Sequence, residues 1–257
     1  MKIGFLNPQG NFDPNDSYWT EHPDFGGQLV YVKELASAMA EQGHKVDIIT
    51  RWVMDPQWPE FQQLIDGYPE MPNVRILRLP CGPPGFLAKE KLWPHLGKDW
   101  VPNILKFYAD EGGLPAAFTA HYADGGLVGA LIAHKTKKSF TFTGHSLGAQ
   151  KMDKLGVNQA NLAMQDTRYH FTQRIMAERI SMNHAGRVIT STRQERLEQY
   201  GHPAYRGAIE PQDEKRFAVI PPGVNQRIFS TQSHALDEQI AQRIAAALLR
   251  DVPVERH

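Results

Sequence analysis

Basic side chains recur at positions where they could hold a phosphate group. Six of them lie in predicted loops or on one predicted helix: Lys89, Lys91, Lys151, Lys154, Arg174 and Arg179. Lysine and arginine bind phosphate oxygens through charge-assisted hydrogen bonds, so several of these residues together could form an anion site. For each of them taken alone, a solvated surface charge is the better interpretation.

A glycine pair precedes the first predicted helix, in the sequence Gly26, Gly27, Gln28. Glycines let a ligand approach the backbone, and the free N–H groups at a helix start attract anions. An ordinary loop-to-helix turn explains the segment equally well. It is not the G-x-G-x-x-G fingerprint, and no acidic residue is placed to bind a ribose, so no NAD or other cofactor is predicted.

Residues 144–148 (Gly-His-Ser-Leu-Gly) fit the G-x-S-x-G pattern of the α/β-hydrolase nucleophile elbow, and they follow a predicted strand. An esterase with Ser146 as its nucleophile is therefore one alternative. Its triad would draw on these later acids and histidines: Asp166, Asp213, Asp237, His202, His234 and His257. Against an esterase, the residues after Gly148 are a short polar stretch, whereas an elbow begins a buried helix. No His-Gly-Gly segment occurs upstream either.

The composition of the chain argues against several classes of protein. Lys plus Arg and Asp plus Glu each number 28, and this neutral balance argues against a nucleic-acid module. The single Cys81 excludes a disulfide framework, and His121 with Asp124 is too small a set to predict a metal site. The first apolar run is too short for a signal peptide, and no run approaches the ~18 apolar residues of a membrane span. We therefore expect a soluble cytoplasmic protein without a membrane partner.

The elements that must position these residues alternate between short apolar strands and helices. Strands are predicted at 3–6, 46–49, 74–77, 117–120, 140–143, 188–190 and 217–220. Helices are predicted from Gly26 to Gly43 and at 93–108, 126–134, 159–183, 193–200 and 233–249. Such alternation predicts a doubly wound, mostly parallel, Rossmann-like α/β sheet. Ligands of such sheets lie beyond the carboxyl ends of the strands, so the loops that follow the strands are the candidate site.

Longer blocks of the sequence resemble the sucrose-phosphate synthases, which are retaining glycosyltransferases of the two-lobed GT-B fold, of the family 4 type. The resemblance runs nearly end to end and rests on residues 7–13, 17–34, 46–51, 89–90, 92–94, 121–122, 124–126, 140–151, 177–179 and 219–225. Blocks of this length are far more specific than a five-residue pattern. They assign 144–148 to a transferase rather than to a hydrolase.

The resemblance implies that the chain is the N-terminal half of such an enzyme, one acceptor-binding domain over 1–257. This half would hold fructose 6-phosphate, and the other lobe would hold UDP-glucose, giving sucrose 6-phosphate. The implied acceptor-site residues are Gln28, Lys89, Tyr122, Ser146, Lys151, Arg174 and Arg179. Gly26 and Gly27 would approach the acceptor and the donor diphosphate, and His145, the candidate catalytic residue, would face the transferred glucose.

The resemblance also implies a donor lobe after residues 221–225. That lobe would carry two glutamates with seven other residues between them. The sequence contains no such pair. We therefore expect this chain to need a donor lobe, as a further part of the protein or as a separate chain, and to be inactive alone. The alternatives are a stand-alone sugar-phosphate-binding module and a related transferase that uses another nucleotide sugar.

Overall fold

The computed structural model describes residues 1–19, 21–22, 24–226 and 232–248. The chain divides into two compact units, Met1–Pro222 and Gly223–His257. The first unit contains the sheet. In the second, the described structure is a helix at Asp237–Leu248, within the helix predicted at 233–249, whose last residue lies outside the described residues. A single domain over 1–257 stays a prediction.

An eight-stranded sheet forms the centre of the first unit. Its strands are β1 Lys2–Leu6, β2 Lys45–Arg51, β3 Ile65–Tyr68, β4 Met71–Leu79, β5 Ala117–His121, β6 Phe140–Thr143, β7 Arg187–Thr190 and β8 Phe217–Val219. Their order is β3-β4-β2-β1-β5-β6-β7-β8, and every pairing is parallel except that of β3 with β4. The doubly wound, mostly parallel sheet and all seven predicted strands are confirmed.

The sheet is buried on both faces, because successive strand residues point to opposite sides and both sets of side chains pack into apolar clusters. Phe5 and Ile48 pack into one apolar cluster, together with residues of the first helix. Their neighbours Leu6 and Ile49 pack into the other, which contains Trp100. The strands therefore read as continuous apolar runs, and this is why they could be recognised in the sequence.

Helices cover both faces of this sheet. They are α1 Gly27–Glu41, α2 Val101–Asp110, α3 Tyr122–Thr136, α4 Gly148–Lys154, α5 Leu162–Tyr169 and α6 Phe171–His184. Helix α2 is preceded by a helical turn at Trp93–His95 and a π-helical turn at Leu96–Trp100. Pro94 stands in the first turn of a helical segment, where proline's missing N–H costs nothing, and Pro102 is the second residue of α2, just after the π-helical turn.

The prediction of one long helix over 159–183 is wrong. The chain forms α5 and α6 instead, separated at His170, whose φ of 51° lies in the left-handed region. The backbone N–H of Thr172 donates to Oδ1 of Asp166 at 2.7 Å, so a side chain supports the junction. A helix of right-handed residues cannot pass through a left-handed one, and the chain therefore changes direction there.

The long loop between β1 and α1 is fixed by buried contacts. Nδ2 of Asn11 donates to the carbonyl oxygen of Arg51 at 2.8 Å, and the fully buried Arg78 donates to the carbonyl oxygen of Phe12 at 2.6 Å. Further along, Phe25 stacks on Trp58 with ring centres 5.8 Å apart. These contacts place the glycine pair at the start of α1.

Candidate functional site

A cavity of about 300 Å³ opens at the carboxyl ends of the parallel strands. Its lining consists of Gln9, Lys89, Glu90, Trp93, Tyr122, Ala123, Ser146, Lys151, Tyr169 and Arg174. Gln9 follows β1, Tyr122 directly follows β5, and Ser146 follows β6. Three neighbouring strands of the sheet therefore deliver polar side chains to one place, where open α/β sheets bind ligands.

Five of the predicted site residues meet in this cavity: Lys89, Tyr122, Ser146, Lys151 and Arg174. They come from separate segments of the chain, namely the loop after β4, the start of α3, the loop after β6, helix α4 and the first turn of α6. Side chains so far apart in sequence converge only through the fold. The cavity is consequently rich in cations although the chain has no net charge.

The two lysines of the cavity differ in their surroundings. Nζ of Lys89 lies 2.9 Å from Oδ1 of Asp24, and although burial lowers the pKa of Lys89, this carboxylate raises it above its ordinary value. Burial lowers the pKa of Lys151, and the nearby charges of Arg174 and Lys89 lower it further. A bound anion would relieve that repulsion, so the electrostatics of the cavity favour a negatively charged ligand.

Arg174 is held in place by a buried carboxylate. Its Nε lies 3.0 Å from Oε1 of Glu178, which is fully buried, and its Nη2 donates to the carbonyl oxygen of Ser146. Its guanidinium lies 5.7 Å from the ring centre of Tyr122. No feature of the sequence indicates this role for Glu178, because the helix pattern does not reveal which face meets the loop after β6.

Arg179 has different partners from the other predicted cations. Its Nη1 donates to the carbonyl oxygens of Ala204 and Arg206, at 2.6 and 3.1 Å. It thereby fastens the short 3₁₀ turn at Pro203–Tyr205 to α6 and does not line the cavity. Its predicted contact with a ligand stays a prediction without geometric support.

His145 lies beside the cavity, against Tyr122. The two rings stack with centres 5.5 Å apart, and Tyr31 packs edge-on against His145 at 5.1 Å. Its φ of 56° is left-handed, and its Nε2 lies 2.9 Å from Nδ1 of the fully buried His121. Burial lowers the pKa of His145 to about 4, so its imidazole is neutral at pH 7.

The predicted glycine loop is open. Gly26 is extended, Gly27 is the first residue of α1, and both are exposed. A Cβ added at either position would meet nothing within 4 Å, and neither residue has a positive φ. Gln28 follows with its Nε2 3.5 Å from Oδ1 of Asn7. Neither packing nor backbone conformation therefore requires glycine at 26 and 27, and the approach of a ligand to this loop stays a prediction.

Ser146 does not have the surroundings of a hydrolase nucleophile. Within the part of the chain that the structure describes, no histidine forms a hydrogen bond with its Oγ. The left-handed residue of this turn is His145 and not the serine. The following helix, α4, buries only Gly148 and Ala149.

The described residues also contain no cluster of three or more metal-ligating side chains, and none of their helices could cross a membrane.

Comparison with known proteins identifies the family. Residues 1–245 match the family model described as the sucrose synthase first GT-B domain. The chain belongs to this family. Its fold is accordingly that of the N-terminal half of a GT-B glycosyltransferase, as the sequence predicts.

Curated members of the family place the chain near the sucrose-phosphate synthases. It is 52% identical over 229 residues to a probable sucrose-phosphate synthase of Thermosipho melanesiensis, covering 89% of this chain and 52% of the relative. It is 35% identical over 205 residues to the sucrose-phosphate synthase of Zea mays, covering 69% of this chain and 19% of the relative. A mannosylfructose-phosphate synthase of Agrobacterium fabrum is 32% identical over 237 residues, covering 88% of this chain and 48% of that protein. The chain thus spans about half, or less, of the length of the relatives it matches.

Solved structures agree with this fold. A sucrose-phosphate synthase of Thermosynechococcus elongatus superposes with a TM-score of 0.71 at 24% identity, covering 93% of this chain and 52% of that one. The catalytic domain of starch synthase IV from Arabidopsis thaliana superposes with a TM-score of 0.58 at 16% identity, covering 98% of this chain and 59% of that one. At these identities, the likeness concerns the fold alone.

Proposed function

We propose that this chain is the acceptor-binding half of a glycosyltransferase of the sucrose-phosphate synthase type, and that its cavity holds fructose 6-phosphate. One observation carries the proposal: Lys89, Lys151 and Arg174 converge on a single cavity of about 300 Å³. A sugar phosphate carries a strong negative charge at one end and hydroxyl groups at the other. The cations suit the phosphate, while Tyr122 and Ser146 can exchange hydrogen bonds with hydroxyl groups.

Lys151 and Arg174 are our candidates for the phosphate contacts. Lys151 has no carboxylate partner among the described residues, and its ammonium lies 4.3 Å from the ring centre of Tyr169. Arg174 is oriented by Glu178, so its remaining donors are pre-positioned. Pre-positioned donors lower the entropic cost of binding. Lys89 shares its charge with Asp24 and is better suited to a sugar hydroxyl or the edge of the phosphate.

Matched lysines on helix α4 test this acceptor site. Lys151→Ala removes a cavity cation, whereas Lys154→Ala removes an exposed one three residues further on. We expect calorimetry with fructose 6-phosphate to show about ten- to a hundredfold weaker binding for Lys151→Ala and for Arg174→Ala, since a lost charged hydrogen bond costs about 1.5–3 kcal/mol. Lys154→Ala should bind like the wild type. Equal loss in both lysine variants would mean that net charge alone attracts the ligand.

The donor side of the proposal concerns UDP-glucose and His145. Glucosyl transfer builds negative charge on the departing diphosphate, which preorganised groups must stabilise. This chain offers the open Gly26–Gly27 backbone and His145, and we assign the remaining donor contacts to a second lobe. A coupled assay for UDP release should find no turnover for this chain alone, and turnover once it is joined to the second half of the Thermosipho relative. In that fusion, an unimpaired His145→Ala variant would remove His145 from the catalytic machinery.

The Agrobacterium relative supports a second candidate, a transferase with the same acceptor and a different nucleotide sugar. The Thermosipho and Agrobacterium relatives are named for the synthesis of sucrose phosphate and of mannosylfructose phosphate. Both products contain fructose, so the acceptor is common to the two candidates. Comparing UDP-glucose with a mannose nucleotide in the fused enzyme distinguishes them. A stand-alone binding module would bind fructose 6-phosphate yet stay inactive in every fusion.

A cytoplasmic location belongs to the proposal and rests on the free, buried Cys81.

A further inference from the structure

Two imidazoles lie in series behind the cavity. Nδ1 of His121 is 2.9 Å from Nε2 of His145, and Nε2 of His121 is 3.4 Å from Oγ1 of Thr119. His121 is fully buried at the end of β5, between the rings of Phe5 and Tyr31. Both of its nitrogens therefore face a partner, and neither can exchange hydrogen bonds freely with water.

This arrangement restricts where the protons lie. Burial lowers the pKa of both histidines, and for His121 the neighbouring His145 lowers it further, so both rings are neutral at pH 7. A neutral imidazole carries its single proton on one of its two nitrogens. In the contact between Nδ1 of His121 and Nε2 of His145, one of these two nitrogens must therefore donate and the other must accept. The chain of three residues consequently has two possible directions.

The hydroxyl of Thr119 selects between these directions. Among the described residues, its Oγ1 has His121 as its side-chain partner and is almost fully buried. A buried donor left without an acceptor is rarer in proteins than an acceptor with an unused lone pair. The hydroxyl therefore donates to Nε2 of His121. His121 must then carry its proton on Nδ1 and donate to Nε2 of His145.

We infer that His121 is a positioning residue that holds His145 in the tautomer with its proton on Nδ1. In this state the free edge of His145 is a hydrogen-bond donor. Nδ1 of His145 has no partner among the described residues, and the residue is only partly buried. Its target is an oxygen acceptor, a hydroxyl or phosphate oxygen of the bound sugar substrates. That target rests on the proposed function, whereas the tautomer does not.

The consequence is chemical. A histidine fixed in this way donates a hydrogen bond and cannot accept a proton on its exposed nitrogen. It is therefore an electrostatic stabiliser of oxygen and not a general base. His121, oriented by Thr119, imposes this state on His145, although it is fully buried and does not line the cavity.

Nitrogen-15 NMR of the histidine rings in the 257-residue chain tests the inference directly. At pH 7 in the wild type, we expect Nδ1 of His145 in the protonated range and Nε2 in the unprotonated range. His121→Asn keeps an amide N–H where Nδ1 was and should preserve that pattern. His121→Phe keeps an aromatic ring at this position but removes the Nδ1–H donor. His145 should then move to the tautomer with its proton on Nε2, which imidazole favours in water.

Thr119→Val is the second variant, and it retains the shape of the side chain. Without the hydroxyl, Nε2 of His121 loses its donor, so the signals of His145 should shift towards the Nε2-protonated form. The inference is overturned if the wild type has its proton on Nε2 of His145, or if a folded His121→Phe keeps the wild-type pattern. If fructose 6-phosphate fails to bind while the NMR pattern holds, the proposed function fails and the positioning role stands.

Discussion

Nε of Arg174 and Oε1 of Glu178 lie 3.0 Å apart, one helical turn from each other on α6. Glu178 is fully buried and also accepts hydrogen bonds from the backbone N–H of Gly148, at 2.9 Å, and from the hydroxyl of Tyr205. A single carboxylate therefore joins a cavity cation, the start of α4 and a distant 3₁₀ turn. The shape of the cavity depends on a residue that does not line it.

Replacing Glu178 should destabilise the protein. Burial raises the pKa of Glu178, while the charge of Arg174 and the hydrogen bonds from Tyr205 and Gly148 oppose this rise and favour the ionised carboxylate. Glu178→Gln leaves Arg174 without its counter-charge, and removing one partner of a buried pair costs about 3–5 kcal/mol, less where the partner is partly solvated. We expect a loss of about 2–4 kcal/mol in the free energy of unfolding, measured by urea titration.

An exposed glutamate is the control for this loss. Glu198→Gln lies at the surface, where substitutions usually change stability by less than about 0.5 kcal/mol. If Glu178→Gln proved as stable as Glu198→Gln, the carboxylate would not be the anchor of Arg174.

Stability should depend on pH through His145. Its pKa is about 4 in the folded protein against 6.5 for an ordinary histidine, so between these values the unfolded chain binds the extra proton. Stability must then fall as the pH drops from 6.5 towards 4. Relative to His145→Gln, the wild type should lose about 1–2 kcal/mol more between about pH 7.5 and about pH 4.5. The reason is that a difference of one between the folded and unfolded pKa is worth about 1.4 kcal/mol, and that the ring is partly solvated.

The comparison with His145→Gln is needed because Asp124 acts in the opposite direction. Burial raises the pKa of Asp124 to about 6, so the folded state binds its proton first as the pH falls. Asp124 is present in both proteins, and its contribution cancels in the difference between them. Identical pH dependence of unfolding in the two proteins would contradict the buried, neutral state of His145.

Ser146 should not react as a nucleophile. No described histidine activates its Oγ, so the hydroxyl keeps the low reactivity of an ordinary serine. A fluorophosphonate probe should leave the protein unlabelled under conditions that fully label a serine esterase. Stoichiometric labelling that disappears in Ser146→Ala would restore the hydrolase alternative.

The sequence was informative where the signal is local. Buried parallel strands are continuous apolar runs, so β1 and β5 could be recognised without the structure. Edge strand β3 could not, because Asp66 and Gly67 interrupt its short apolar pattern. The sequence does not predict the break at His170 either, since a left-handed histidine leaves no mark in a helical pattern.

The candidate site was predictable only in part. The sequence predicts that Lys89, Lys151 and Arg174 are candidate phosphate-binding residues, and the fold brings the three together in one cavity. Arg179 belonged to the same predicted set, yet its guanidinium holds backbone carbonyl groups. Residue type and position in a helix do not distinguish these outcomes. They depend on which distant segment packs against each side chain.

Isothermal titration calorimetry with fructose 6-phosphate and with fructose tests whether the cavity is a sugar-phosphate site. The two ligands differ only in the phosphate, which we assign to Lys151 and Arg174. We predict that this chain binds fructose 6-phosphate at least about tenfold more tightly than fructose, a difference of about 1.4 kcal/mol or more. Equal affinity for the two sugars would contradict the assignment of this cavity to a sugar phosphate.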